Sequence, residues 1–279
     1  MKTKNSMKSL LLVLSLVCST MLQAQSNYQT KLKELFEVNT TMSGMNLNQQ
    51  RDAYAKMLQA GGISGEQAKA LSAEYFRTQY MNDLVTVVTP YFQSVLSEAD
   101  INNLLSQFNT PEGKTAMAHI GKASAAMSSP EAQAFIQNSL IALLQGQQVS
   151  ELKPEACGAV YQQKFEEYYI VSNIESSVAS TISSLEPMLM AQAKTESQKM
   201  GMRKTLDAVG QFLTKNMKVF SLNAFYPEVT EADLDFFVGV MKTPAGQNMN
   251  KGNAALTKDA LNMGQKVVQG FVDWVRKQQ

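Results

Sequence analysis

One capped-helix pattern occurs twice in this chain, and that repetition constrains the fold more than any other feature. Ser97-Glu98-Ala99-Asp100-Ile101, followed by Thr110-Pro111-Glu112-Gly113, returns as Thr230-Glu231-Ala232-Asp233-Leu234 and Thr243-Pro244-Ala245-Gly246. A single offset of 133 positions carries Ser97 to Thr230 and Thr110 to Thr243, so the spacing inside the pattern is kept. The same offset brings Tyr28, Gln29, Lys31 and Glu34 onto Tyr161, Gln162, Lys164 and Glu167. It also brings Met57, Gln59 and Ala60 onto Met190, Gln192 and Ala193. Separate matches at one offset point to a tandem duplication. The expected architecture is all-α: two helical-bundle repeats over 25–147 and 160–279, with 148–159 as linker and helix start.

Each residue type in the pattern has a structural task. The hydroxyl of Ser97 or Thr230 suits an N-cap, with Asp100 or Asp233 reaching back to the cap amide as a short-armed capping box. Glu98 and Glu231 place charge in the first turn, where the helix dipole favours it. Ile101, Leu104, Leu105 and Phe108 then form one apolar face, reproduced by Leu234, Phe237, Val238 and Met241. Thr110-Pro111 and Thr243-Pro244 stop that helix and start another, Thr as N-cap and Pro at N1. Glycine costs about 1 kcal/mol against Ala inside a helix, so Gly113 and Gly246 suggest that another backbone passes close. An anion at these helix starts is the lesser reading, because Pro removes a donor and no Lys/Arg cluster accompanies it.

Helical periodicity extends through the chain, with scarce proline and no sustained alternation. Leu32, Leu35, Phe36 and Val38 mark a first helix ending near Gly44. A second is expected over 46–60, stopped by Gly61-Gly62, and a third from Ser64 through Leu71, Tyr75, Leu84 and Val88, kinked or broken at Pro90. In the second copy Phe165, Tyr168, Val171, Ile174, Val178, Ile182 and Leu185 continue one helix. Pro187 bends it, and another helix is expected over 188–220. Residues 147–153 and Pro154 read as linker. The last helix presents Leu261, Gly264, Val268, Phe271 and Val275 on one face, with Trp274 beside them. Its first-copy counterpart carries Phe135, Ile136, Leu140, Leu143 and Leu144 after a Ser129-Pro130 start.

The first residues read as an address. Lys2, Lys4 and Lys8 precede a short apolar run from Leu10 to Val17, and Leu22-Gln23-Ala24 fits a small-residue cleavage site. Removal of 1–24, with Ala24 and Gln25 flanking the cut, is expected to send the chain to the periplasm or outside. The apolar run is shorter than the roughly 20 residues a membrane span needs. Lipidation at Cys18 is disfavoured by the bulky Val17 before it. Without those 24 residues, 22 basic side chains face 24 acidic ones, and no basic stripe suggests nucleic acid. Cys157 would be the sole remaining thiol, without an internal disulfide partner.

The two Thr-Pro corners carry a family resemblance. Phe108-Asn109-Thr110-Pro111-Glu112-Gly113-Lys114 and Met241-Lys242-Thr243-Pro244-Ala245-Gly246-Gln247 resemble the bacterial exported family called domain of unknown function 2059. The likeness covers roughly 30 residues per copy; Met241 stands where that family usually has an aromatic. It implies an all-helical exported bacterial protein and no particular activity.

No nucleophile–base–acid set, His/Cys metal cluster or Gly-rich phosphate loop is apparent, so no enzyme activity, cofactor or metal is expected. Cys157 lies far in sequence from the only histidine, His119, which reads as a half-exposed helix residue. Glu166 and Glu167 are neighbours on a helix and face different ways. Met188-Leu189-Met190 and Met200-Gly201-Met202 have the spacing of soft-metal thioether pairs, but i and i+2 diverge on a helix. These methionines read better as adaptable filler or as the lining of a pliable groove. Two functions from different classes remain. One is an envelope scaffold or binding module that takes a protein or peptide in an inter-helical groove. The other is a carrier of a lipid or another apolar small molecule.

Overall fold

The computed structural model describes residues 26–38, 47–127, 129–145, 147, 149, 152–176, 186, 190 and 194–278. The leader over 1–24 with its Ala24–Gln25 junction, Cys18, Gly44 and Pro187 lie outside the described residues. Among the described residues every regular element is a helix and no strand occurs. None of these helices is long and apolar enough to cross a membrane.

Helix α1 spans 26–38. It is followed by α2 (Leu47–Ala60), α3 (Gly65–Thr78) and α4 (Tyr80–Gln93). Next come α5 (Glu98–Phe108), α6 (Pro111–Met127) and α7 (Pro130–Leu144). The second half contains α8 (Ala159–Val171), α9 (Glu196–Phe225), α10 (Glu231–Lys242), α11 (Pro244–Lys258) and α12 (Ala260–Gln278). Gly62, at φ 93°, ends α2 in a conformation open to glycine at little cost. The linker is pinned to α9: Asn216 Oδ1 accepts from the Leu152 amide at 2.8 Å, and Asn223 Oδ1 from the Glu155 amide at 2.8 Å.

Three boundaries differ from expectation. Pro90 sits inside α4, and the break falls at Gln79, where φ −127° leaves the helical region. Burial of Val85, Val88, Thr89 and Phe92 holds α4 together across the hydrogen bond that proline lacks. In the second half α8 stops at Val171, and Asn173 adopts a positive φ of 56°. The long helix begins at Glu196 and runs to Phe225, with Thr195 and Gln198 forming a capping box at its start. In α12 the buried face is Val267, Phe271 and Val275, while Leu261 is exposed.

The halves interleave. Helix α5 packs on α11, and α10 packs on α6; α4 meets α11 and α12, and α9 meets α6 and α7. Shifted by 133, each pair of helices becomes its counterpart. Equivalent bonds recur: Lys31 pairs with Glu98 at 3.2 Å, and Lys164 with Glu231 at 3.7 Å. One core cluster therefore draws on both halves, with Leu32, Val88, Leu104, Phe165, Leu234 and Val240 all buried. Side chains of this size each contribute about 1.5–3 kcal/mol when fully buried. A second, aromatic cluster joins Tyr75 and Tyr80 to Val267, Phe271 and Val275. Tyr54 and Tyr75 lie 4.7 and 4.9 Å from the Phe271 ring, centroid to centroid.

Candidate functional site

The repeated pattern builds its caps in both halves. At α5 the Asp100 amide donates to Ser97 Oγ at 3.1 Å, and Asp100 Oδ2 accepts from the Ser97 amide at 3.0 Å. At α10 the Asp233 amide donates to Thr230 Oγ1 at 3.2 Å. Asp233 Oδ2 accepts from the Thr230 amide at 2.8 Å and hydroxyl at 2.6 Å. The corners match as well. The Gly113 amide donates to Thr110 Oγ1 at 3.0 Å, and the Gly246 amide to Thr243 Oγ1 at 3.1 Å. Each hydroxyl donates in turn to the end of the preceding helix, Thr110 to Gln107 O and Thr243 to Val240 O.

The glycines in these corners lie against backbone. A Cβ on Gly113 would stand 2.4 Å from Gln107 O, and one on Gly246 would stand 2.3 Å from Val240 O. The approaching chain is the end of the helix just before each corner, so Pro111 and Pro244 can begin a new helix without an intervening loop.

Interleaving brings each cap against the other half's Thr-Pro helix. His119 of α6 lies 2.8 Å from Asp233 of α10, Nδ1 to Oδ2. A carboxylate only accepts, so the proton of this bond sits on Nδ1. In the reciprocal place Asn248 of α11 donates to Asp100 Oδ2 at 3.3 Å. Burial pushes the Asp233 carboxyl up, but the Thr230 hydroxyl, His119 and the Thr230 amide outweigh it and hold the group below its ordinary range. Asp100 is lowered too, by the Ser97 amide and hydroxyl first, then against a small opposing burial effect by Asn248.

Two open grooves follow from this arrangement. The first, about 790 Å³, runs between α6 and α10 and is lined by Pro111, Glu112, His119, Asp233 and Phe236 among others. The second, about 600 Å³, lies between α5 and α11, with Asp100, Asn103, Thr243 and Pro244 in its wall. Of the residues singled out by the pattern, Pro111, Thr230 and Asp233 meet at the first groove, and Asp100, Thr243 and Pro244 at the second. Ser97, Thr110, Gly113 and Gly246 serve the caps and corners beside them.

The remaining candidates fall elsewhere. Cys157 is half-buried against the main core, one turn before Tyr161. Glu166 pairs with Lys218 of α9, while Glu167 pairs with Lys242 of α10, so the two carboxylates tie α8 to different helices. Met200 is exposed on an unbroken stretch of α9, where Met202 projects in another direction. Met188 and Leu189 lie outside the described residues. No group of three or more His, Cys, Asp or Glu side chains among the described residues could hold a metal ion.

His119 is the residue that sequence reasoning missed as a site member. Its partner comes from 114 positions away, and its counterpart at the 133 offset is Gly252, so neither local spacing nor the repeat announces it. At Gly252 the helix instead presses on the Phe92 ring, where a Cβ would stand 2.4 Å from Cδ1. Compared with known proteins, the chain matches no family model, no curated protein and no solved structure.

Proposed function

We propose that this chain is a non-enzymatic, exported helical scaffold of the bacterial cell envelope that binds a protein or peptide partner in a groove between helices. The observation that carries this reading is the convergence of the repeated pattern from both halves on the two open grooves. Caps and corners alone need no such meeting. Among the described residues the core side chains Leu32, Val88, Ile101, Leu104 and Leu234 are at 0% exposure and the pockets are open grooves, which supports a surface groove over a closed cavity for an apolar cargo. Export rests on the leader-like residues 1–24, and the bacterial setting rests on the likeness of the Thr-Pro corners to domain of unknown function 2059.

Native mass spectrometry of protein recovered from its own periplasm tests the proposal. A chain beginning at Gln25 with a co-purified polypeptide is the expected result. A retained lipid would replace the scaffold by a carrier. A chain beginning at an acylated Cys18 would make the protein a lipoprotein.

A further inference from the structure

We infer that the groove between α6 and α10 takes a cationic, partly apolar peptide segment, with Lys or Arg next to an aliphatic or aromatic side chain. This rests on the binding-module reading above and names the chemistry of its partner.

The groove offers an apolar surface under an acidic rim. Pro111, Ala116, Ala232 and Phe236 supply the apolar part, and Glu112, Asp233 and Asp235 the carboxylates. Neither lysine nor arginine is among its described lining residues. Asp233 is buried and held by Thr230 and His119, so it contributes field rather than a free contact. Asp235 and Glu231 share one cation, Lys164, which leaves a net negative charge at this edge. Glu112 is exposed at the start of α6. A partner with positive charge beside an apolar side chain complements both features; an acidic one would be repelled.

The second groove shows that this chemistry is not a by-product of the fold. At the 133 offset Glu112 becomes Ala245, Asp235 becomes Asn102 and Phe236 becomes Asn103. Caps and Thr-Pro corners are the same in both places. What differs is the rim charge and the aromatic surface, which capping does not require.

The only histidine of the chain lines this groove, so its imidazole resonances report occupancy directly. The mature protein is titrated at fixed pH with three acetylated, amidated pentapeptides: Lys-Leu-Lys-Phe-Lys, its Gln-substituted form and its Glu-substituted form. The lysine peptide is expected to shift the His119 signals saturably, and added salt to weaken the effect. Glu112→Lys, a change at an exposed first-turn position, is expected to lower that affinity about tenfold or more while lowering the melting temperature only slightly, through the lost helix-dipole contact. Equal shifts from the glutamine or glutamate peptide would overturn the charge argument but leave a binding groove. An unchanged affinity in Glu112→Lys would move the site off this wall and overturn the inference. If no peptide shifts His119, the inference falls together with peptide binding at this groove.

Discussion

At Asp233 a single carboxylate oxygen accepts from the Thr230 amide, the Thr230 hydroxyl and the His119 ring. Asp100 makes the same capping bonds but has a longer cross-half contact, to Asn248 at 3.3 Å. Both sites thus cap a helix and touch the other half, with the shorter cross-half bond at Asp233. Asp100→Ala is expected to cost about 1 kcal/mol in urea unfolding, the ordinary value of a lost cap. Asp233→Ala is expected to cost about 2 kcal/mol, because the side chain is buried and His119 loses its acceptor. Both carboxyls are depressed in the folded protein, so between the unfolded value of about 4 and each lower folded value the unfolded chain binds the extra proton. Stability is full above that window and falls as pH drops through it, and urea midpoints should show a shallower acid loss in each variant.

Gly113 and Gly246 give a second residue-level test. Alanine is the better helix former by about 1 kcal/mol, yet its Cβ would enter contact with Gln107 O or Val240 O at 2.4 and 2.3 Å. Gly113→Ala and Gly246→Ala are each expected to destabilise by about 1–3 kcal/mol in thermal or urea melts. Gly264→Ala is the control: its Cβ would meet nothing within 4 Å, so a gain of up to about 1 kcal/mol is expected. Capping Ser, Thr and Asp, the Pro starts and the costly glycines were all legible in the sequence because their partners lie within a turn or two. The His119–Asp233 bond was not, because its two ends meet only after the halves interleave.

At the scale of elements, the apolar period identified helices well and their ends less well. Proline at 90 reads as a kink or a break; the helix does not break there, because the four buried side chains around it outweigh one missing hydrogen bond. The true break at Gln79 is marked by side-chain bonds: Gln79 Nε2 and the Tyr75 hydroxyl both donate to Asp83. The start of α9 had a readable signal in Thr195-x-x-Gln198, a full capping box, which the nearby Pro187 overshadowed. In α12 the period is right in Phe271 and Val275, but the first turn presents Met263 rather than Leu261 to the core, leaving Leu261 exposed. Phe271→Ala is therefore expected to cost about 3–5 kcal/mol, since it empties the centre of the aromatic cluster. Leu261→Ala is expected to change stability by no more than about 0.5 kcal/mol in the same urea titration.

At the scale of the whole molecule, an offset in the sequence relates equivalent residues but says nothing of which helices touch. Two separate bundles and two exchanged ones would have carried the same repeated pattern. The contacts favour exchange: α10 and α9 lean on α6, α11 leans on α5, and α12 leans on α4. Buried side chains from both halves share the main core, and the second cluster joins α3 of one half to α12 of the other. A cut between Gln145 and Leu152 should therefore sever the chain without parting the molecule. The cut must precede Leu152, because Asn216 and Asn223 bind the segment that follows to α9. With a protease site inserted there, the nicked full-length chain is expected to elute as one particle and to melt in one transition. Separation into two pieces in native buffer, or two melting transitions, would mean that each half carries its own core. One transition is the required outcome of interleaving, since neither half can unfold without stripping the other of the helix that covers its apolar face.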